Sequence, residues 1–277
     1  MPTIAEQLQQ IATIKANIKA AIEAKGETVG SDAFSTYPTH IANISGGGGE
    51  DTLNAFFLNT LTELVVPEGV TSLPAGFAQN KTALTSARFP NTLTTIPQNV
   101  LNGCTNMASI TLGNAVTKIE NNALMATKYI TSIDFPDTIT TMGGSVLSGC
   151  SRLTSVKFPP LLTAISNQVC YSCGALKTVD IGANVTSIGT NTFSYCSACT
   201  TIICRATTPP TVTSSTFGNG GSLYTGRTTY SQGVNKLYVP QGCSAAYNTS
   251  YWASVLLDAT KCGFTIAELD ANGNIPT

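Results

Sequence analysis

The sequence has 277 residues, of which 42% are hydrophobic and only 10% charged, with a net charge of -1. That length can bury a large core, while so little charge gives neither a phosphate backbone nor an anionic membrane an electrostatic reason to bind, so no nucleic acid partner is expected. No apolar run approaches the ~20 residues of a membrane-spanning helix, and membrane insertion is not expected either.

The opening stretch, MPTIAEQLQQIATIKANIKA, lacks the basic, apolar and small-residue segments of a secretory signal. The expectation is a chain made in a cytosol and not exported by the usual route. A helix starts at Thr3, where Glu6 completes a capping box. Ile4, Ile11 and Ile18 are spaced by heptads, Ile14 and Ala21 fill the other core position, and Leu8 and Ile22 widen the stripe. Isoleucine at both heptad core positions shifts a coiled coil toward trimers or tetramers, so the stripe predicts a homo-oligomer, trimer favoured. The pattern ends at Gly26, and so short a helix needs other packing. The alternative is a helix folded back over its own chain.

Residues 26–45, GETVGSDAFSTYPTHIANIS, add a turn and a second short apolar stretch, and GGGG at 46–49 is a flexible joint. The run IKANIKAAIEAKGETVGSDAFSTYPTHIANI resembles a short N-terminal module on structural proteins of tailed bacteriophages. The resemblance implies that residues 1–45 dock to other virion structural proteins. Residues 46–60 then serve as linker and entry to the next region.

From Leu61 the chain repeats every 23 residues without an insertion, with blocks starting at Leu61, Leu84, Met107, Ile130, Leu153, Leu176 and Cys199, the last one decayed. In each block positions 1, 4 and 6 are apolar, as in Leu153, Val156 and Phe158, which is the spacing of a short strand with one face inward. Position 7 is Pro or Gly in the first six blocks and ends the strand. Positions 10 and 13 are apolar again, and a third cluster follows near positions 17 and 18, as in Val146 and Leu147. One block is one coil of a solenoid. A single coil cannot bury enough surface to offset its ordering entropy, so the coils must stack.

The blocks, with phrases such as FSYCSA at 193–198, resemble the BspA-like leucine-rich repeat. The fold class expected is therefore a repeat solenoid, a leucine-rich-repeat-like array of about seven 23-residue coils over residues 61–221. A small helical module precedes it, and a C-terminal cap over 222–277 closes it. The segment VNKLYVPQGCSAAYNTSYWASV at 234–255 is similar to the one that ends BspA-like arrays, with Tyr247 and Trp252 suited to covering the open end of the core.

Cys170, Cys173, Cys196 and Cys199 spell two C-x-x-C pairs, the spacing of a zinc site. The period dissolves that reading. Cys104, Cys150, Cys173 and Cys196 all occupy position 21, Cys170 falls in the column of Leu147 and Phe193, and Cys199 in that of Leu176. Four thiolates drawn from separate columns do not converge, so free buried thiols are expected, with neither metal nor cofactor. His40 is the single histidine and lies in the N-terminal module, read as a surface residue. Carboxylates are too sparse for a placed acid and base, and no active site is expected. DANGN at 270–274 has the beginning of a calcium loop without its distal Glu and reads as a turn.

Positions 2, 3 and 5 point outward from the strand. Position 2 is mostly Thr, position 3 mostly Ser, and position 5 reads Val65, Arg88, Thr111, Asp134, Lys157, Asp180, Ile203. Arg88, Asp134, Lys157 and Asp180 form the candidate ligand face, open equally to cross-strand ion pairs and to a host surface glycan or protein. Position 11 is a further Thr column, read as a hydroxyl ladder, and the Thr207–Gly233 loop is a second contact candidate. Anchor, joint and array together suggest a non-enzymatic virion fibre or appendage of a bacteriophage, on capsid or tail, attaching to a host surface. The alternative is a bacterial BspA-like adhesin at the cell surface.

Overall fold

The apolar columns close into a coil only if the chain turns between them, and in the computed structural model those turns repeat with the sequence. Residues 59–218, 235–257 and 264–276 are described. The helical module expected over residues 1–45, with Ile4, Leu8, Ile11, Ile14, Ile18, Ile22 and His40, lies outside them, as do the glycine joint and residues 219–233 of the loop.

Strand segments at positions 3 to 5 are β1 (Glu63–Val65), β2 (Ser86–Arg88) and β4 (Ser109–Thr111), then β7 (Ser155–Lys157), β9 (Thr178–Ile181) and β11 (Thr201–Cys204). A second row near positions 12 and 13 comprises β3 (Thr95–Ile96), β5 (Lys118–Ile119), β6 (Thr141–Met142), β8 (Ala164–Ile165) and β10 (Ser187–Ile188). All pairing is parallel and offset by one coil, Glu63 facing Ser86 and Thr178 facing Thr201. The columns read as core are core: Leu84, Met107, Ile130, Leu153 and Leu176 at position 1 have no exposure, and position 10 is buried from Val70 through Val185. Among the described residues no helix is long and apolar enough to cross a membrane.

The third side of each coil is held by a device that the apolar pattern does not reveal. Position 16 has positive φ in every regular coil, at Gly76, Asn99, Asn122, Ser145, Gln168 and Asn191. So does position 20, at Asn80, Gly103, Ala126, Gly149, Ser172 and Tyr195. These two left-handed residues bracket the turn and aim alternate N–H groups at the next coil. Positions 16, 18 and 20 donate to carbonyls at positions 15, 17 and 19 of the following coil, as in Ser145 to Asn167, Leu147 to Val169 and Gly149 to Tyr171. Such bonds, 2.7 to 3.1 Å long, join every pair of regular coils.

The strand rows are less continuous than this ladder. Coil 4, from Ile130, contributes no strand at positions 3 to 5, so the first row divides into β1-β2-β4 and a longer sheet beginning at β7. Coil 7 departs from the 23-residue register. Ser187 pairs with Thr211, one residue beyond the regular offset, so an extra residue is accommodated between Cys204 and Thr211. Phe217, and not Thr216, therefore takes the core place of Phe193, and the two rings stack at 5.6 Å.

Beyond coil 7 the sheet continues through β12 (Lys236–Val239) and β13 (Thr265–Glu268), giving the order β7-β9-β11-β12-β13. Between them lie a short helix, α1 (Ser244–Thr249), and a π-helical turn (Ala253–Leu257). Tyr247 and Trp252 are buried here, with Trp252 Nε1–H donating to Pro210 O at 2.7 Å and the Tyr247 hydroxyl to Ala206 O at 2.8 Å.

Ala126 is the left-handed residue with the least excuse, since it has neither glycine's freedom nor a side-chain hydrogen bond of the Asn kind. Ala126→Gly is expected to raise stability by about 1 kcal/mol, seen as a higher urea midpoint at unchanged m-value.

Candidate functional site

The exposed edge of each strand is built by alternation: position 4 turns into the core and positions 3 and 5 turn away. Val65, Arg88 and Thr111 are register partners and all are exposed. Lys157, Asp180, Ile203 and Tyr238 form a second register row, in which Lys157 is exposed, Asp180 and Tyr238 are half-buried and Ile203 is buried. Asp134 is exposed on coil 4, where no strand links the two rows. Arg88 and Lys157 are thus three coils apart, about 14 Å at the spacing of stacked strands.

Asp180 does not belong to an open ligand face. Its carboxylate is gripped by Arg205, Nε donating to Oδ1 at 2.8 Å and Nη2 to Oδ2 at 2.9 Å. Nη1 of the same guanidinium donates to Gly273 O at 2.9 Å, tying coil 7 to the C-terminal segment. The cross-strand pairing considered for Asp134, Lys157 and Asp180 gives way to this contact, because a planar guanidinium satisfies both carboxylate oxygens at once. Arg205 was not legible as its partner: it stands at position 7 of the decayed coil, where other coils carry Pro or Gly. Arg88, Asp134 and Lys157 remain as the exposed charged residues of the proposed face.

The threonine columns are occupied by the chain itself. At position 2, Thr85 Oγ1 donates to Thr62 O and Thr154 Oγ1 to Thr131 O, both at 3.0 Å. At position 11, Thr117 donates to Thr94 O at 3.3 Å and Thr186 to Thr163 O at 3.1 Å. These hydroxyls are a coil-to-coil ladder, as read for position 11, and what they present to a ligand is mainly acceptor capacity.

The cysteine column is a donor column. Sγ of Cys104, Cys150, Cys173 and Cys196 approaches the carbonyl of Ala78, Leu124, Leu147 and Cys170, one coil back, at 3.0 to 3.5 Å. Thr127, in the same column, donates to Leu124 O at 2.8 Å. A small residue with a weak donor is what the site needs, and both types supply it. Burial pushes the Cys104 thiol from an ordinary 9.0 up to about 11, and Cys150 and Cys196 upward as well. The Cys204 thiol rises to about 11 for the same reason. Neutral buried thiols are poor nucleophiles and poor metal ligands, and among the described residues no group of three or more His, Cys, Asp or Glu is placed to hold a metal ion. In DANGN, Asp270 Oδ1 accepts N–H bonds from Asn272 and Asn274 at 2.9 and 2.8 Å, closing a turn on itself.

One exposed feature had no sequence signal beyond composition. Tyr195 is 44% exposed and meets half-buried Tyr171 of the preceding coil edge to face, with centroids 5.2 Å apart and planes at 75°. Further along, Arg152 lies 3.8 Å over the ring of exposed Tyr129.

Residues 73–200 match the BspA type leucine rich repeat region, in six copies. A leucine-rich repeat protein from Eubacterium ventriosum has a similar fold, with 16% identity, a TM-score of 0.50, and 65% of this chain and 57% of that one covered. The T. pallidum leucine rich repeat protein shows 23% identity over 50% of this chain and 77% of its own at a TM-score of 0.40. A leucine rich cell surface protein from Faecalibacterium prausnitzii shows 17% identity over 79% of this chain and 68% of its own at a TM-score of 0.39. A Bacteroides ovatus leucine-rich repeat protein is spanned over 62% of its length, so this chain covers less than two thirds of some of these proteins. No curated protein matches the chain.

Two measurements follow from the thiol column. Mild treatment with a maleimide, read by peptide mass spectrometry, is expected to modify half-exposed Cys243 and to leave Cys104, Cys150, Cys170, Cys173, Cys196, Cys199 and Cys204 untouched until denaturant is added. Stability is also expected to fall as pH rises from about 9 to about 11, since the unfolded thiols release protons that folded Cys104 and Cys204 retain. Below that window both states hold the proton and these groups add no pH dependence, which a set of urea midpoints from pH 7 to pH 11 checks.

Proposed function

We propose that the chain is a non-enzymatic attachment scaffold of the bacterial cell surface, in which a BspA-type solenoid holds a row of exposed side chains at fixed spacing against a host glycan or protein. The observation that carries this reading is the division of labour within each coil. Apolar, thiol and threonine columns are consumed by stacking, while position 5 is left to solvent from Val65 through Lys157. An array of this kind supports weak contacts repeated along one axis, whose effect is multiplied when several copies are displayed together. Arg88, Asp134 and Lys157 are the charged positions of that row.

A virion fibre or appendage uses the same array for the same task and differs in what holds its base. That reading rests on the resemblance of residues 1–45 and on the heptad stripe Ile4, Leu8, Ile11, Ile14, Ile18 and Ile22, which predicts a homo-oligomer docked to other virion proteins. The two are separated by where the full-length protein resides. Antibody labelling of intact producing cells is expected to be removed by external protease. Recovery of the protein in sedimented phage particles instead would replace the cell-surface reading by the virion one.

The strand face has its own test. Arg88→Ala with Lys157→Ala is expected to weaken binding of fluorescent full-length protein to host cells about ten-fold, at unchanged thermal midpoint, since both residues are exposed. Unchanged binding would move the contact off this face.

A further inference from the structure

We infer that Tyr171 and Tyr195 form a stacking site for a neutral saccharide on the turn side of coils 5 and 6. The inference rests on the attachment reading but not on the strand face, and it begins from a residue in the wrong conformation. Position 20 demands positive φ, and other coils meet the demand with Asn80, Gly103, Ala126, Gly149 and Ser172. Coil 6 places a tyrosine there, at φ 62°. A bulky residue held in the left-handed region is strained, and such strain persists where it is offset by something the residue does.

Tyr195 does not gain burial in exchange, since it remains 44% exposed. Its gain is the edge-to-face contact with Tyr171. Two rings at 75° make an open corner, one plane on which the C–H face of a pyranose can lie and a second wall beside it, and each ring carries a phenol hydroxyl.

The surroundings select the ligand class. No charged residue occurs between Lys157 and Lys177 or between Asp180 and Arg205, so both coils are neutral on this side, and Ser172 follows Tyr171 directly in the chain. An anionic polymer has no counter-charge here. A protein partner needs about 800 Å² of matched surface with an apolar centre. Of the other exposed large apolar side chains, Tyr129 stands at position 23 of coil 3 beneath the Arg152 guanidinium, and Val65, Leu161 and Tyr251 lie on other columns or at the C-terminal end, so they do not extend the pair into such a patch. A neutral sugar ring needs only a face to stack on and a few hydroxyl partners.

The test uses full-length protein on an array of neutral, sialylated and sulfated oligosaccharides, followed by titration calorimetry of any neutral oligosaccharide retained. Wild type, Tyr195→Gly, Tyr171→Ala and Leu161→Ala, an exposed position outside both faces, are compared. Neutral oligosaccharides are expected to bind wild type and Leu161→Ala alike, and at least about ten-fold more weakly to each tyrosine variant. Tyr195→Gly relieves the left-handed strain, so its thermal midpoint is expected to hold or rise and loss of binding cannot be loss of fold. Absence of any neutral ligand, or undiminished binding by Tyr195→Gly, overturns the inference. If wild type adheres to host cells while binding no neutral sugar, the attachment reading stands and the tyrosine site falls. If it binds sugar through the tyrosines yet adheres to no cell surface, the site stands and the attachment reading falls.

Discussion

The array depends on one backbone constraint, the pair of left-handed residues at positions 16 and 20. A coil has three sides, and on the third the chain must present Val146 and Leu147, or their counterparts, to the core within a few residues of reversing direction. Positive φ at both ends of that stretch turns the N–H groups of positions 16, 18 and 20 along the stacking axis. Three hydrogen bonds then lock each regular coil to the next, from coil 1 to coil 6. Coil 4 shows the consequence: it carries no strand at positions 3 to 5, yet Asn122, Leu124 and Ala126 still bond into it and Ser145, Leu147 and Gly149 still bond out of it.

The same constraint explains what the sequence disclosed and what it withheld. Positions 1, 4, 6, 10 and 13 were legible because burial tolerates only a few side chains, and a 23-residue recurrence of Leu, Ile, Val and Phe is hard to produce otherwise. Positive φ imposes a weaker filter on side chains. Gly, Asn, Ser, Gln, Ala and Tyr all fill positions 16 or 20, so the column carries an Asn and Gly bias without a signature. The extra residue of coil 7 was hidden because a fixed period still placed Cys199, Ile202 and Cys204 correctly, and the slip occurs only afterwards. Asp180 was open in the sequence to a cross-strand ion pair or to a ligand, and its actual partner, Arg205, was hidden because it belongs to the coil where the pattern lapses.

Cysteine was read correctly by column and incompletely by role. A recurring small buried residue is visible in the sequence, but the thiol that donates to a carbonyl 26 residues back is a fact of geometry. That donation spends the one reactive property the residue has. Thr127 in the same column donates within its own coil, to Leu124 O three residues back, and its hydroxyl lies 3.3 Å from Cys150 Sγ of the next coil. Polar chemistry inside the solenoid is thus directed along the axis, from coil to coil, and does not converge on a point.

Chemistry that does not converge has a functional corollary. A fold whose apolar, threonine and thiol columns are committed to stacking leaves position 5 of its first five coils with no side-chain bond to make, so Arg88 or Lys157 can change identity at small cost to the fold. With a net charge of -1 there is little long-range field to steer a partner, and association must rest on short-range contacts. Such contacts are individually weak, and a rigid axis compensates by fixing their spacing, so that a second contact forms at high effective concentration once the first has been made. Recognition in this architecture is therefore a property of position along the array more than of any single pocket.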